Sequence, residues 1–217
     1  MTVRLAVFDC DGTLVDGQAA VCEAMEAGFA FAGLACPPRT AIRRIVGLSL
    51  PQAVRELAPQ AASEQCHAIV AAYKQSFRDA RTSGQLDEPL FDGIAELIDR
   101  LAGAGWTLGV ATGKSDRGLA ACLTGHALIE RFATLQTADR HPSKPHPAML
   151  EAALFEAGAQ PADAVMIGDT TFDMAMARAA GVRAIGVDWG YHTPGELLEA
   201  GAETVVSSAT ELGDWLA

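Results

Sequence analysis

Two aspartates at the end of the first apolar segment are well placed to do chemistry. Asp9 and Asp11 follow the run Val3–Phe8, which is almost wholly apolar and ends in turn residues. Such a short run is typical of a strand buried on both faces of a parallel sheet. Residues two apart in an extended chain point to the same side, so we expect both carboxylates at the carboxyl end of this strand. Gly12 then permits a tight turn.

Carboxylates this close repel each other, and proteins relieve the repulsion with a cation or with a proton on one acid. Mg²⁺ takes oxygen ligands, and a protonated acid can serve a leaving group. Both arrangements suit phosphoryl transfer. The plainer alternative is an Asp-Gly turn at a strand end, with both acids solvated, and a lone pair of aspartates has that role more often.

Thr112 and Gly113 follow another apolar run, Trp106–Ala111, which predicts a second buried strand. A hydroxyl and free backbone N–H groups at a strand end can bind phosphate oxygens, and we include the turn at Gly12 as a candidate for the same role. The alternative is that Thr112 only helps to cap the next helix.

A cation and two further acids come later in the chain. Lys144 lies in a loop with three prolines, which present its ammonium at low entropic cost. Asp169 follows the apolar run Ala164–Ile167, and Asp173 lies one helical turn further, so both can face one point. Each residue also has an ordinary structural alternative. Lys144 could be a solvated loop lysine, Asp169 a helix cap, and Asp173 an acid in the first turn of a helix, where the helix dipole favours it.

Spacing excludes two nucleotide-binding motifs. Gly109 and Gly113 have three residues between them, whereas the phosphate-binding loop of nucleoside triphosphatases needs four. No Gly-x-Gly-x-x-Gly pattern follows a predicted strand. His141 and His146 flank Lys144 without metal-ligand spacing, so we expect surface residues or loop hydrogen bonds there.

The scaffold that would bring these strand ends together is predicted by the second half of the chain. From Asp92 onward, short apolar strands alternate with helical segments, which is typical of a parallel sheet with helices on both faces. The later strands are predicted at Trp106–Ala111, Phe132–Gln136, Ala164–Ile167, Val182–Val187 and Thr204–Val206. The expected class is α/β, a doubly wound Rossmann-like sheet.

Residues 18–81 interrupt this pattern with helical periodicity and no good strand. We therefore expect an inserted all-helical cap at residues 17–85 and an α/β core formed by residues 1–16 and 86–217. Arg43, Arg44 and Lys74 in the insertion could bind a distal anion of a substrate. Each is also an ordinary cation on a helix surface, and we favour that interpretation.

Composition narrows the class of partner. The 217 residues are half hydrophobic, carry a net charge of −11 and have a pI near 4.8, which disfavours nucleic acid and anionic membranes as partners. The five scattered cysteines form no Cys-x-x-Cys pair and suit a reducing compartment. Without a leader-like or membrane-spanning run, we expect a cytoplasmic monomer or homodimer.

Four segments together resemble the four motifs of the haloacid dehalogenase superfamily, whose members mostly cleave phosphate esters. They are Asp9–Asp16, the segment around Thr112, the loop of Lys144 and the Gly-Asp-x-x-x-Asp pattern at 168–173, in the family's order. The insertion resembles the family's helical cap. The residues of these motifs are most similar to those of the phosphoglycolate-phosphatase-like branch. The resemblance implies a Mg²⁺-dependent phosphatase acting on a small phosphorylated metabolite.

The resemblance also implies a role for each motif residue. Asp9 would attack phosphorus and form an aspartyl-phosphate, and Asp11 would protonate the leaving alkoxide and then activate water. Thr112 and Lys144 would hold phosphate oxygens. Mg²⁺ would be held by four acidic residues: Asp9, Asp11 through its backbone carbonyl, Asp169 and Asp173.

Two alternatives stay open. Hexose-phosphate mutases of this superfamily carry a loop like residues 45–50 with Lys and Arg where this chain has Val46 and Leu50, which disfavours a mutase. A receiver-type signalling module also uses a phosphorylated aspartate, a threonine and a lysine on a parallel sheet. The chain's length, the insertion and Asp11, which would hasten loss of the phosphoryl group, count against a receiver.

Overall fold

The computed structural model describes residues 2–217, and within them it contains one six-stranded parallel sheet in the order β3-β2-β1-β4-β5-β6. The strands are β1 (Arg4–Phe8), β2 (Trp106–Thr112), β3 (Thr134–Thr137), β4 (Ala164–Gly168), β5 (Arg183–Val187) and β6 (Thr204–Val206). In the register of the sheet, Phe8 lies level with Val110 and Ile167. The carboxyl ends of β1, β2 and β4 therefore lie side by side.

Helices cover both faces of this sheet, which confirms the predicted doubly wound α/β class. They are α5 (Ile94–Gly103), α6 (Asp116–Gly125), α7 (Ala148–Ala157), α8 (Thr171–Ala179), α9 (Pro194–Ala200) and α10 (Ala209–Trp215). Side chains of β1 alternate between two apolar clusters: Ala6 and Phe8 pack with α5, α6 and α10, whereas Leu5 and Val7 pack with α7, α8 and α9. A strand buried on both faces needs this continuous apolar sequence.

Four helices lie between β1 and α5, and we call them the helical insertion: α1 (Gln18–Phe31), α2 (Arg39–Arg44), α3 (Leu50–Leu57) and α4 (Ser63–Thr82). The insertion has its own apolar cluster, which includes Met25, Phe29, Ile42, Val54 and Ile69. Whether residues 17–85 and the core behave as separate domains stays a prediction.

The strand boundaries lie within two residues of the sequence prediction. Helix α8 begins at Thr171, because the Thr170 hydroxyl accepts a hydrogen bond from the Asp173 backbone N–H and caps the helix. Strand β3 begins at Thr134, two residues late. Phe132 is buried by an edge-to-face contact with Phe8, at 6.5 Å between ring centroids, rather than by a place in the strand.

Among residues 2–217, none of the helices combines the length and the apolar character that crossing a membrane requires.

Candidate active site

Three buried carboxylates meet where β1 and β4 end. Asp9 follows β1, Asp169 follows β4, and Asp173 lies in the first turn of α8. Each offers one carboxylate oxygen to a group in which the oxygens lie within 4.8 Å of one another. The sheet register produces this meeting because neighbouring parallel strands deliver their ends to the same edge.

Lys144 joins two of these acids. Its side chain is fully buried, and its Nζ lies 2.8 Å from Asp9 Oδ1 and 2.6 Å from Asp173 Oδ1. Burial alone would lower the pKa of Lys144, but the charges of Asp173 and Asp9 outweigh it and raise that pKa. The ammonium therefore stays charged between the two carboxylates.

Asp169 is held by groups that the sequence reasoning missed. The Thr13 hydroxyl donates to its Oδ1 at 2.8 Å, and the Tyr191 backbone N–H donates to its Oδ2 at 2.9 Å. A Cβ added at Gly190 would lie 2.2 Å from Oδ2, and one at Gly12 would lie 2.3 Å from it. The glycine and aromatic residues directly after β5 were the only sequence signal for this contact.

Asp173 already has protein partners on both carboxylate oxygens. Lys144 takes Oδ1, while the backbone N–H and the hydroxyl of Thr170 donate to Oδ2 at 3.1 and 2.7 Å. The same contacts cap α8. Asp173 is thus less available to a cation than Asp9, whose Oδ2 has no hydrogen-bond donor among residues 2–217.

The cluster fits a divalent cation. Asp9 Oδ2 is buried and has no hydrogen-bond donor among residues 2–217. Burial raises the pKa of Asp9 to about 7, against the opposing effect of Lys144, and burial raises that of Asp169 well above its usual range. Carboxylate oxygens are the donors that Mg²⁺ prefers, and a cation would hold both acids ionised.

Asp11 points away from that cluster. Its Oδ1 forms an ion pair with Lys114 Nζ at 2.9 Å, and the same ammonium donates a hydrogen bond to Glu88 Oε1 at 2.7 Å. Burial raises the pKa of Asp11, and the Lys114 charge opposes that effect. The sequence reasoning assigned no role to Glu88 or Lys114, because their contact with Asp11 joins residues far apart in the chain.

A cavity of about 340 Å³ opens between these residues and the helical insertion. Asp9, Asp11, Thr112 and Gly113 line its core end. The insertion approaches them closely, since a Cβ added at Gly113 would lie 2.5 Å from the Leu48 carbonyl oxygen. The six predicted core residues therefore gather at one end of the molecule: Asp9, Asp11, Thr112, Lys144, Asp169 and Asp173.

Arg43 and Arg44 lie outside this cavity in the structure, and their role in substrate binding stays a prediction. Neither is among the described residues that line it. Arg44 instead makes a two-pronged ion pair with Glu196 of α9, at 2.6 and 2.9 Å. The lining cations of the insertion come from α4: Lys74, which the sequence did suggest, together with Arg78 and Arg81.

Comparison with known proteins finds one matching family and several similar phosphatases. The model of the haloacid dehalogenase-like hydrolase family matches residues 6–187. The chain is 37% identical over 211 residues to "Probable phosphatase IndB" of Dickeya dadantii (strain 3937), covering 96% of this chain and 91% of that protein. It is 29% identical over 222 residues to the phosphoglycolate phosphatase of Rhodospirillum rubrum, covering 98% and 90%. In fold it is similar to a predicted phosphatase from Clostridium acetobutylicum, with a TM-score of 0.88, 24% identity and coverage of 100% and 99%.

Proposed function

This chain belongs to the haloacid dehalogenase-like hydrolase family, and from that premise we propose that it is a Mg²⁺-dependent phosphatase of a small phosphorylated metabolite. One observation carries the proposal: Asp9 lines the cavity with one oxygen paired to Lys144 and the other without a donor in residues 2–217. A carboxylate held in this way has an oxygen available to attack phosphorus. The phosphatase names of two relatives support the same reaction.

The reaction proceeds in two steps on residues of the core. A carboxylate oxygen of Asp9 forms a bond to phosphorus, the ester P–O bond breaks, and Asp11 gives its proton to the departing alkoxide. Asp11 then takes a proton from water, whose oxygen attacks phosphorus and releases Asp9 and inorganic phosphate. The raised pKa of the buried Asp11 suits the first of these proton transfers.

Lys144, the Thr112 hydroxyl and the Gly113 backbone N–H hold the phosphate oxygens as charge spreads over them. The backbone N–H of Gly12, the other candidate, already donates to the Val15 carbonyl oxygen at 2.9 Å. Ion pairs with Asp9 and Asp173 fix the Lys144 ammonium beside the nucleophile. Its buried ion pairs leave the ammonium few alternative positions.

The cation would be held by Asp9, Asp169 and the backbone carbonyl of Asp11, with Asp173 acting through Lys144 or through a water. Mg²⁺ there supplies positive charge that offsets the charge of the transferring phosphoryl group. Thr13 and Tyr191 keep Asp169 oriented for this role.

We further propose that residues 17–85 form a cap over the core and that the protein works in the cytoplasm as a monomer or homodimer. The close approach of the insertion to Gly113 supports a cap. The five free cysteines support a reducing compartment such as the cytoplasm. The apolar Val46 and Leu50 of the insertion lack the charge that retention of a sugar phosphate would need, which disfavours the mutase alternative.

The test is phosphate release from p-nitrophenyl phosphate, measured after EDTA treatment and again with Mg²⁺ or Ca²⁺ added back. We expect steady turnover with Mg²⁺ only, because Ca²⁺ prefers more ligands and longer bonds. Asp9→Asn should abolish it, whereas Asp99→Asn, an exposed aspartate paired with Arg131, serves as the matched control. A single burst of product without further turnover would favour a receiver-type module. Full activity in EDTA would refute the proposed dependence on a metal ion.

A further inference from the structure

The walls of the cavity change in character from the core end to the insertion. At the core end they carry the reacting groups described above, whereas the insertion presents mainly apolar side chains, among them Val21, Met25, Tyr73 and Phe77. Pockets for drug-sized ligands have roughly 300–1,000 Å³. At about 340 Å³, the cavity reaches that range and exceeds what the phosphate alone requires.

Helix α4 presents two adjacent stripes to the cavity. Tyr73 and Phe77 are four residues apart and form a ring pair with centroids at 5.0 Å. Lys74, Arg78 and Arg81 follow at spacings of four and three residues and form a cationic stripe beside the rings. The same helix therefore offers apolar contact and positive charge to whatever enters the cavity.

Positive charge is concentrated at this cavity in a chain whose net charge is −11. Five of the sixteen lysines and arginines line it: Lys74, Arg78, Arg81, Lys114 and Arg117. Lys114 is engaged by Asp11 and Glu88, and Arg81 lies 3.8 Å from Glu88. Lys74 and Arg117 make no ion pair with any described residue of the chain, so their charge is available to a ligand.

We propose that the substrate is a phosphomonoester whose alcohol carries a flat apolar ring and, beyond it, a second anionic group. The inference rests on the proposed phosphatase function and names its substrate class. The ring packs against Val21, Met25, Tyr73 and Phe77, and the distal anion faces Lys74 and Arg117. Phosphoglycolate has the second anion but no apolar body, so it leaves the apolar walls in contact with water.

Four esters of primary alcohols separate the two features with comparable leaving groups. Ethyl phosphate has neither feature, phosphoglycolate has the anion, benzyl phosphate has the ring, and 4-carboxybenzyl phosphate has both. We expect kcat/KM with Mg²⁺ to be at least ~10-fold higher for benzyl than for ethyl phosphate, because burial of a phenyl ring removes more apolar surface from water than burial of a methyl group. We expect 4-carboxybenzyl phosphate to exceed phosphoglycolate by a similar factor.

Matched variants locate each feature. Phe77→Ala should lower the benzyl-to-ethyl ratio by ~10-fold, whereas Phe31→Ala, on an exposed ring of α1, should leave that ratio unchanged. Replacing both Lys74 and Arg117 by Gln should lower the ratio of 4-carboxybenzyl to benzyl phosphate. Arg55→Gln, an exposed cation of α3 outside the described cavity lining, is the control for charge alone.

The outcomes distinguish this inference from the function beneath it. If kcat/KM for phosphoglycolate equals or exceeds that for 4-carboxybenzyl phosphate, the inference about the substrate is overturned, whereas the proposed phosphatase function stands. Equal kcat/KM values for benzyl and 4-carboxybenzyl phosphate overturn the proposed binding of a distal anion. Failure to hydrolyse any of the four esters with Mg²⁺ overturns the proposed function itself. The series on the wild-type protein decides the matter even if Phe77→Ala does not fold.

Discussion

Lys144 is a single ammonium between two buried carboxylates, with no exposed surface of its own. Lys144→Met removes that charge and leaves Asp9 and Asp173 unpaired in the interior. Breaking a buried ion pair in this way costs about 3–5 kcal/mol. Urea unfolding in EDTA should show a loss of this size in the free energy of unfolding, together with loss of turnover.

Lys74→Met is the matched control, since this exposed lysine makes no ion pair with residues 2–217 and should change the free energy of unfolding by less than ~0.5 kcal/mol. Equal stability of the two variants would mean that Lys144 is not needed to balance the buried acids.

Gly190 brings the backbone after β5 against Asp169. Gly190→Ala would place a Cβ 2.2 Å from Asp169 Oδ2, so the carboxylate or the loop must move. Disturbing the groups around a metal ligand typically costs 10–100-fold in affinity, and we expect Mg²⁺ binding by calorimetry to weaken by about that factor. Gly195→Ala is the control, because no described atom lies within 4 Å of a Cβ built there. Unaltered Mg²⁺ affinity in Gly190→Ala would contradict the assignment of Asp169.

Among the elements, α1 and α4 hold the helical insertion together through a close approach at Gly28. A Cβ there would lie 3.0 Å from the Ile69 backbone oxygen and 3.1 Å from its Cγ2. Gly28→Val should push the helices apart and lower the free energy of unfolding by about 1–3 kcal/mol. Ala30→Val adds the same branched side chain at an exposed position of α1 and should cost far less. Similar losses in both variants would show that the cost is helix propensity alone.

At this scale, the sequence predicts features that depend on neighbouring residues and does not predict contacts between residues far apart in the chain. The strand ends at Asp9, Thr112 and Asp169 were predicted because apolar runs and turn residues are read within a few positions. The hydrogen bonds of Arg44 to Glu196 join residues 152 apart, and that of Tyr191 to Asp169 depends on a loop conformation. No periodicity encodes either contact, so neither the pairing of Arg44 with Glu196 nor that of Tyr191 with Asp169 was foreseen.

For the whole molecule, we expect the buried acid cluster to make stability depend on a bound cation. A ligand that binds only the folded state stabilises it by about 2.7 kcal/mol when present at 100 times its Kd. For a chain of this length that corresponds to a rise in Tm of roughly 5–10 °C. We expect this rise on adding Mg²⁺ to EDTA-treated protein, and little rise with NaCl at equal ionic strength.

Asp169→Asn should lose most of that increase in Tm, because it removes a charged oxygen from the cluster, whereas Asp99→Asn on the surface should keep it. The same Tm with and without saturating Mg²⁺ in the wild-type protein would show that the carboxylates at the sheet edge hold no cation.

The central claim, that Asp9 carries the phosphoryl group, is tested most directly by trapping it there. The protein is mixed with a substrate ester and Mg²⁺, quenched in acid within the first turnover, digested and mapped by mass spectrometry. The account predicts one phosphorylated peptide, containing Asp9, whose modification is removed by hydroxylamine as an acyl phosphate should be and is absent from Asp9→Asn. Turnover that continues in Asp9→Asn, or a phosphoryl group trapped on any other residue, would contradict it.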